Sequence, residues 1–541
     1  MNIMNKVLLI GGTDPSGAGL QTDWKVINTL QETTQSTVQI QANSIVTAVT
    51  AQNTSAVLNN GVVSVELFSN QLKSIENQAF SAIKIGMLGN EFIIDALLDF
   101  FQRYLKKHPK TVLILDPVLM ASSGGKLLTE AGRKLLLSKL LSYTTLITPN
   151  LDELALLSDL PVNSDSEIKI AARKILKLGA EAVLLKGGHI QTDKSVSNDL
   201  FISQNESFYL QGKRWSNRQN VRGTGCALAT AIATFMAQSY CLTDSIVLAK
   251  AMLSQGIRQS ICDGTHQGVC QDVCEDKRNT QVAKNSYQLQ FSCKGFQVKD
   301  LPVISAEKMP ENANTKKYHF PDCGSKNLGI YPVVDSFAWI KKLVPLGVET
   351  IQLRIKADAD GVDSENGNDN NKLNAKIETE IKQAIEYCRQ YSTRLFINDH
   401  WQLAIKYRAY GIHLGQEDIE TADIQAIAKS GCRLGLSTHS YTEVARAHAI
   451  KPSYLALGPI FATTSKDMPW IPQGVAAVKK WVELLGDDYP LVAIGGIDYN
   501  RAALLKATGV GSVAMISSIT HAEDYEKATQ QLLELWGSHH S

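Results

Sequence analysis

Between Lys6 and about Gly264, short aliphatic runs alternate with segments of helical length. VLLIGG (Val7–Gly12), SAIKIGM (Ser81–Met87), TVLILDPV (Thr111–Val118), TLITPN (Thr145–Asn150) and EAVLLKGG (Glu181–Gly188) read as buried strands. Most run into Gly, Pro, Asp or Asn. This alternation predicts a mostly parallel, doubly wound sheet covered by helices on both faces, with ligands bound beyond the carboxyl ends of the strands. The pattern dissolves over 266–326, which reads as a polar linker with a short strand at YQLQF (Tyr287–Phe291). From Leu328 the alternation returns as LGIYPVVD, ETIQLR (Glu349–Arg354), RLFIND (Arg394–Asp399), YGIHLG (Tyr410–Gly415), RLGLST (Arg433–Thr438), YLALGPI (Tyr454–Ile460), LVAIGG (Leu491–Gly496) and SVAMIS (Ser512–Ser517). Eight such units in succession predict a (β/α)8 barrel rather than an open sheet. The Asn/Asp/Gly tract Asp358–Lys372 reads as a loop at the barrel mouth, or as a surface insertion. The expected domains are therefore 1–265, a linker at 266–326, and 327–541.

Composition adds little to this division but excludes some functions. The chain has 541 residues, 44% hydrophobic and 20% charged, with a net charge of +1. Nothing here calls for nucleic acid or an anionic membrane as a partner, so anionic ligands need local sites. The N-terminus lacks the pattern of a secretory signal, and no run of about 18 apolar residues is present. Nine scattered cysteines do not make a disulfide framework. A cytoplasmic protein is expected. His266, Cys270 and Cys274 in the polar stretch match no common zinc spacing.

Candidate chemistry collects at the predicted strand ends. RGTGC (Arg222–Cys226) precedes a long small-residue apolar run, as at a helix whose first-turn amides are left open for an anion. Amides from Gly223, Thr224, Gly225 and Cys226 could stabilise charge on a transferred phosphoryl group; two glycines at a helix start are also common without function. No GxxxxGK[ST] loop occurs. In TPNLDEL, Asn150 and Glu153 could orient a hydrated magnesium ion, or close a capping box. Asp116 is a second carboxylate at a strand end, and Lys186 a cation that could reach phosphate. Asp14, Asp23 and Gln52 lie close to strand ends, and the Gln52 amide suits the edge of a polar heterocycle.

The blocks GTDPSGAGLQTD, TAVTAQNT, KIGML, DPVLMASSG, TPNLDE, KGGH and GTGC, in this order, resemble hydroxymethylpyrimidine/phosphomethylpyrimidine kinases over roughly residues 5–265. The resemblance implies a ribokinase-like fold and two successive phosphorylations of a pyrimidine alcohol with ATP and Mg2+. It also implies that Gln52 holds the pyrimidine and that Cys226 occupies the catalytic position, where ribokinase relatives generally carry Asp. A helix N-terminus can lower a thiol pKa, and Cys226→Ser is expected to slow phosphorylation severely. Where the family usually reads DPSGGAG, this chain has the shorter DPSGAG (Asp14–Gly19). A pyridoxal- or sugar-type kinase is the competing reading, which the Gln52 region and Cys226 disfavour.

In the second half, IQLRIK places Gln352, Arg354 and Lys356 on alternate positions, like a diphosphate clamp, or like a sheet edge with solvated charges. Asp399, after Asn398, and Asp418 make a plausible magnesium–diphosphate site, although either alone could be a helix cap. GPIFATTSKD supplies Thr463, Thr464, Ser465 and Lys466, and the loops after the seventh and eighth strands are the usual phosphate site of such barrels. GIYPVVD, QLRIK, FIND, GIHLGQED, GLSTH, LGPIF, AIGGI and MIS are similar to thiamine-phosphate synthases, from about Asn327 to Leu535. That resemblance implies that Gln352, Arg354, Lys356, Asn398, Ser437 and Lys466 bind a pyrimidine diphosphate, with Asp399 and Asp418 on magnesium. Thr463–Ser465, Gly496, Ile516 and Ser517 would bind a thiazole phosphate. Diphosphate would leave a stabilised cation for the thiazole nitrogen to capture, with no histidine base required of His400 or His439. Small-molecule substrates and a homo-oligomer are expected; a ligand-binding regulator that had lost the chemistry would show damaged magnesium or diphosphate residues.

Overall fold

The computed structural model describes residues 5–15, 17–33, 39–52, 57–121, 125–187, 196–214, 221–263, 287–289, 296–306, 318–355, 367–462 and 472–537. It divides into two compact units, Met1–Ala313 and Asn314–Ser541.

The strands of the first unit are β1 (Asn5–Thr13), β2 (Ile40–Gln52), β3 (Val57–Val62), β4 (Ala82–Ile85), β5 (Val112–Leu115), β6 (Leu146–Ile147), β7 (Ala182–Leu185), β8 (Val196–Ser203), β9 (Ser207–Lys213), β10 (Val221–Arg222), β11 (Tyr287–Gln288) and β12 (Val303–Ser305). Ten of them form one sheet in the order β12-β9-β8-β7-β6-β5-β4-β1-β2-β3. The stretch from β2 to β7 is parallel, and β1, β4, β5, β6 and β7 are its continuous apolar runs, whereas β2, IQANSIVTAVTAQ, mixes polar and apolar residues and was not read as a strand. Antiparallel additions at each end, β3 on one side and β8, β9 and β12 on the other, mix polar and apolar residues and escape a search for buried runs. Helices bury one face of the sheet in a large core that includes Phe68, Leu97, Phe101 and Leu154. On the other side the helix Thr224–Ala237 is buried along nearly its whole length, which its run of small residues permits.

Part of the stretch expected to be linker belongs to this unit. β11 pairs in parallel with β10, immediately ahead of the GTGC turn, within the YQLQF strand expected from the sequence. Further on, Val298, Leu301 and Ile304 are buried, β12 pairs with β9, and Asp300 receives a bidentate Arg258 guanidinium from the helix Leu242–Asp263. His266, Cys270 and Cys274 lie outside the described residues.

The second unit is a closed barrel of eight parallel strands in chain order: β13 (Gly329–Val334), β14 (Thr350–Leu353), β15 (Arg394–Asn398), β16 (Gly411–Leu414), β17 (Arg433–Thr438), β18 (Tyr454–Leu457), β19 (Leu491–Ile494) and β20 (Ser512–Met515). All eight coincide with the runs read from the sequence. Its interior is filled by large side chains, including Tyr331, Phe396 and Tyr454. The Asn/Asp/Gly tract is not wholly a loop: Gly367–Lys372 forms the first turns of the helix Gly367–Gln390. Polar residues that favour turns when isolated are carried into helix here by the amphipathic segment that follows.

Candidate active sites of the two units

In the first unit the turn before the helix Thr224–Ala237 is set by Gly223, whose φ of 82° is a left-handed value that a side chain would strain. Glycine offers no side-chain cap, so the first-turn amides of Thr224, Gly225 and Cys226 are left open by it, as an anion site requires. Beneath them lies a network of alternating charge. Lys186, just beyond β7, donates to Asp116 at 2.8 Å and lies 3.7 Å from Glu153. A Cβ on Gly225 would sit 3.3 Å from the Lys186 ammonium, so a side chain there would crowd the one cation expected to meet phosphate. Lys84, from the middle of β4, pairs with Asp23 at 2.8 Å, and Thr230 donates to the other Asp23 oxygen at 2.7 Å.

The protonation states follow from this arrangement. Burial opposes the charge on Asp116, but Lys186, then Lys84, and hydrogen bonds from Lys186 and the Cys226 thiol hold its pKa below the usual carboxylate value. Glu153 is driven up to about 7, chiefly by burial and secondarily by Asp116, against the pull of Lys186. Cys226 is pushed up to about 12 by burial, with Asp116 and Asp23 adding to the rise and Lys84 and Lys186 opposing it. A helix N-terminus can lower a thiol's pKa, but at Cys226 burial outweighs it. In the unliganded enzyme Cys226 is a neutral thiol bonded to a carboxylate.

Both readings of TPNLDEL hold at once. Asn150 and Glu153 close a reciprocal capping box (2.7 and 2.8 Å) while the same carboxylate faces Lys186. Gln52 is the last residue of β2, but its side chain lies outside the described residues. The shorter DPSGAG turn is closed, with Gly17 N donating to the Asp14 carbonyl at 3.3 Å and Thr22 donating to the Gly17 carbonyl at 2.9 Å. Lys84 opens the KIGML block but was not singled out, although a lysine within the otherwise apolar strand AIKI is a legible signal.

In the barrel, Gln352 is buried in β14 and Arg354 follows directly after it, while Lys356 lies outside the described residues. Asn398 ends β15 and its amide donates to Asp399 at 2.5 Å. Asp399, held at φ 60°, faces Asp418. Burial, then repulsion from Asp418, lifts Asp399 to about 6, with Arg354 pulling the other way. Asp418 also accepts from Gly415 N at 3.1 Å, so it does serve as a cap. Two hard, mutually repelling carboxylates at adjacent strand ends fit a divalent cation such as Mg2+. Among the described residues no group of three or more His, Cys, Asp or Glu is placed to hold a metal, so such an ion would take further ligands from substrate.

Ser437, in β17, is 2.9 Å from Nε2 of His413. Gly496 follows β19 at φ 63°, and a Cβ there would lie 2.4 Å from the Ala462 carbonyl, so only glycine lets the two loops close. Ile516 and Ser517 open a short helix after β20. Thr463, Thr464, Ser465 and Lys466 lie outside the described residues. His439 bonds Glu443 at 2.8 Å, fixing the start of the helix Tyr441–Ile450, and His400 precedes the helix Trp401–Lys406. His413, Tyr331 and Tyr454 were not singled out in the sequence, because their strands read as plain core.

The fold and sites thus define a doubly wound unit with an anion turn over buried charge, followed by a barrel with an acidic pair at its strand ends. Comparison with known proteins agrees. Residues 14–271 match the family model described as phosphomethylpyrimidine kinase, and residues 330–519 match thiamine monophosphate synthase. The second unit is 53% identical over 210 residues to thiamine-phosphate synthase of Salmonella choleraesuis, covering 39% of this chain and 92% of that protein. It is 55% identical over 208 residues to the Photorhabdus laumondii enzyme, covering 38% and 89%. The chain belongs to the thiamine-phosphate synthase family. Solved structures similar to the first unit include a phosphomethylpyrimidine kinase of Clostridium difficile 630 (28% identity, 47% of this chain and 99% of that one, TM-score 0.39). A Staphylococcus aureus pyridoxal kinase in complex with AMP-PCP and pyridoxal also matches (27%, 47% and 88%, TM-score 0.41). With its two family matches, the chain is a bifunctional enzyme of thiamine biosynthesis, a doubly wound kinase unit followed by a synthase barrel.

Proposed function

We propose that the first unit uses ATP to phosphorylate 4-amino-5-hydroxymethyl-2-methylpyrimidine twice, and that the barrel condenses the resulting diphosphate with thiazole phosphate to give thiamine phosphate. The observation that carries the kinase half is the convergence of the open GTGC amides with Lys186 and Asp116. The amides of Gly223–Cys226 stabilise charge on the phosphoryl group in flight, and Lys186 neutralises the donor phosphates. Asp116 is ionised and bonded to the Cys226 thiol, so the alcohol proton passes by relay: sulfur takes it as the thiol's own proton moves to Asp116, and the thiol ends neutral. Gln52 orients the heterocycle. Glu153, which accepts from Asn150 N and faces Lys186, is the residue that would hold hydrated Mg2+ in this unit.

In the barrel Gln352, Asn398 and Ser437 hold the pyrimidine, while Arg354, Lys356 and Lys466 bind its diphosphate. Asp399 and Asp418 are the residues that would hold Mg2+, which when bound supplies positive charge to the leaving diphosphate. The thiazole phosphate takes Thr463, Thr464, Ser465, Gly496, Ile516 and Ser517. Ionisation needs stabilised leaving-group charge and exclusion of water, and the buried barrel interior supplies the second. The exposed apolar residues Val49 and Leu58 on the β2–β3 pair at the sheet edge support a homo-oligomer, which light scattering checks. The test of the whole reading is incubation with the pyrimidine alcohol, ATP, Mg2+ and thiazole phosphate. Thiamine phosphate is the expected product. Product only from added pyrimidine diphosphate refutes the kinase half, and none by either route refutes both.

A further inference from the structure

The helix Thr224–Ala237 carries the GTGC amides at its start, and beyond them it buries a surface of small apolar side chains such as Ala227, Ala229, Ala231 and Ala233. Apolar burial has no direction, so a surface of this kind fixes neither the slide of the helix along its axis nor its rotation. Two buried threonines interrupt it, and they behave differently. Thr234 donates to the Thr230 carbonyl at 2.7 Å, the local bond a helical threonine makes to the residue four before it. The same local partner for Thr230 would be the Cys226 carbonyl. Thr230 instead donates out of the helix, to Asp23 at 2.7 Å.

Asp23 lies in the first turn of the helix Leu20–Thr33, and its other carboxylate oxygen pairs with Lys84 at 2.8 Å. Lys84 is in β4, flanked by β1 and β5 inside the sheet. Gly86 leaves room for the ammonium, since a Cβ there would lie 3.1 Å from it. Thr230 and Asp23 are 0% exposed and Lys84 is 1% exposed, so the bonds are sealed from solvent. Next to Asp23, Thr22 meets the GTGC turn itself, with its hydroxyl oxygen 3.0 Å from where a Gly223 Cβ would stand. A satisfied buried network of directional bonds selects one arrangement where apolar packing alone tolerates several.

Cys226 precedes Thr230 by four residues, one turn away on the same face. At a rise of about 1.5 Å per residue, the anchor sits about 6 Å along the axis from the thiol. A slip there is carried along the helix to the first-turn amides. We propose that Lys84, Asp23 and Thr230 are positioning residues of the kinase. Together they form a buried relay, from the sheet through one helix to the next, that fixes where the GTGC amides and the Cys226 thiol stand relative to Asp116 and Lys186. The inference rests on the kinase reading. Because the relay serves the phosphoryl group in flight, its loss lowers kcat and kcat/KM together.

The test compares Thr230→Val, Thr230→Ser and Thr230→Ala in the full chain. Valine has the shape of threonine without the O–H, serine keeps the O–H without the methyl group, and alanine has neither. Phosphorylation of the pyrimidine alcohol with ATP and Mg2+ is followed well below each variant's melting temperature. Synthase turnover of added pyrimidine diphosphate is the control. Thr230→Val is expected to lower kcat about 10- to 100-fold, the scale of a displacement of up to 1 Å, with both KM values within about threefold of wild type. Thr230→Ser is expected to keep kcat within about threefold, while Thr230→Ala, which gives up the same methyl group, is slow like valine. If valine prevents folding, the serine and alanine variants decide the same question. A folded valine variant with wild-type kcat and only a lower melting temperature overturns the proposal, because the bond then stabilises without positioning. A raised KM at unchanged kcat also overturns it, as does a serine variant as slow as alanine. No phosphorylation by wild type overturns the kinase reading itself, and this inference with it.

Discussion

Cys226 shows how far a residue's role depends on its neighbours rather than its motif. GTGC was legible as an anion turn, and so was the oddity of a thiol in it. The thiol's state was not legible, because it is set by Asp23, Lys84, Asp116 and Lys186, which come from four separate segments of chain. A thiol pushed up to about 12 and bonded to Asp116 acts as a hydrogen-bond donor, not as a thiolate base. That changes which variant decides the question. Cys226→Ala removes the donor and is expected to lower kcat for pyrimidine phosphorylation about 100-fold, the usual loss for one positioned donor. Cys226→Ser keeps an O–H for Asp116 and is expected to stay within about tenfold of wild type, where a thiolate mechanism would lose both variants equally. Turnover of added pyrimidine diphosphate by the synthase half controls for folding. The same reasoning explains why Asp399 and Asp418 could be named in advance: their partnership needs only adjacent strand ends, which the order of the barrel strands dictates. Tyr331 and Tyr454 turn inward together in the barrel, and inward-facing tyrosines look like core in a sequence.

At the scale of elements, the sequence reported what burial imposes and missed what pairing imposes. Strands buried on both faces must be apolar throughout, so the barrel strands and β1, β4, β5, β6 and β7 stood out as runs. β8, β9 and β12 add by antiparallel pairing at an edge, where one face can stay polar. β12 is the extreme case, three residues whose partner strand β9 lies about ninety residues earlier. What anchors that late segment is the Arg258–Asp300 pair, in which the Asp300 side chain is fully buried. Burial pulls the Asp300 carboxyl upward and Arg258 opposes it. Arg258→Met leaves that acid without its cation, at a cost of about 3 kcal/mol, the lower end for breaking a buried pair. The expected result is an earlier thermal loss of kinase activity and faster proteolysis between residues 296 and 306, with the synthase activity unmoved. Equal loss of both activities would mean that the segment does not belong to the first unit's stability.

As a whole molecule the enzyme is two units, each with its own core and its own site, and each should respond to its own conditions. In the barrel, His448 is bonded to the Tyr489 hydroxyl at 2.8 Å, and burial, then Lys451, lowers it to about 4 from an ordinary 6.5. Between those values the unfolded chain binds a proton that the folded barrel refuses. The barrel is therefore at full strength above pH 6.5 and loses stability as pH falls toward 4, by about 3 kcal/mol at most from this group. His448→Gln should flatten the acid side of the synthase melting curve. A sharper test of separateness uses the chemistry. Asp399→Asn is expected to silence the synthase and spare the kinase, while Cys226→Ala does the reverse. Neither variant alone should convert the pyrimidine alcohol to thiamine phosphate at a useful rate. Mixed, they should restore the conversion, because the diphosphate made by the first unit of one chain can be used by the barrel of another. The recovered rate should rise with the concentration of the Cys226→Ala chain until the kinase step limits it. A mixture that stays silent, while each variant keeps its one activity on added substrate, would show that the diphosphate passes between units of a single chain without release.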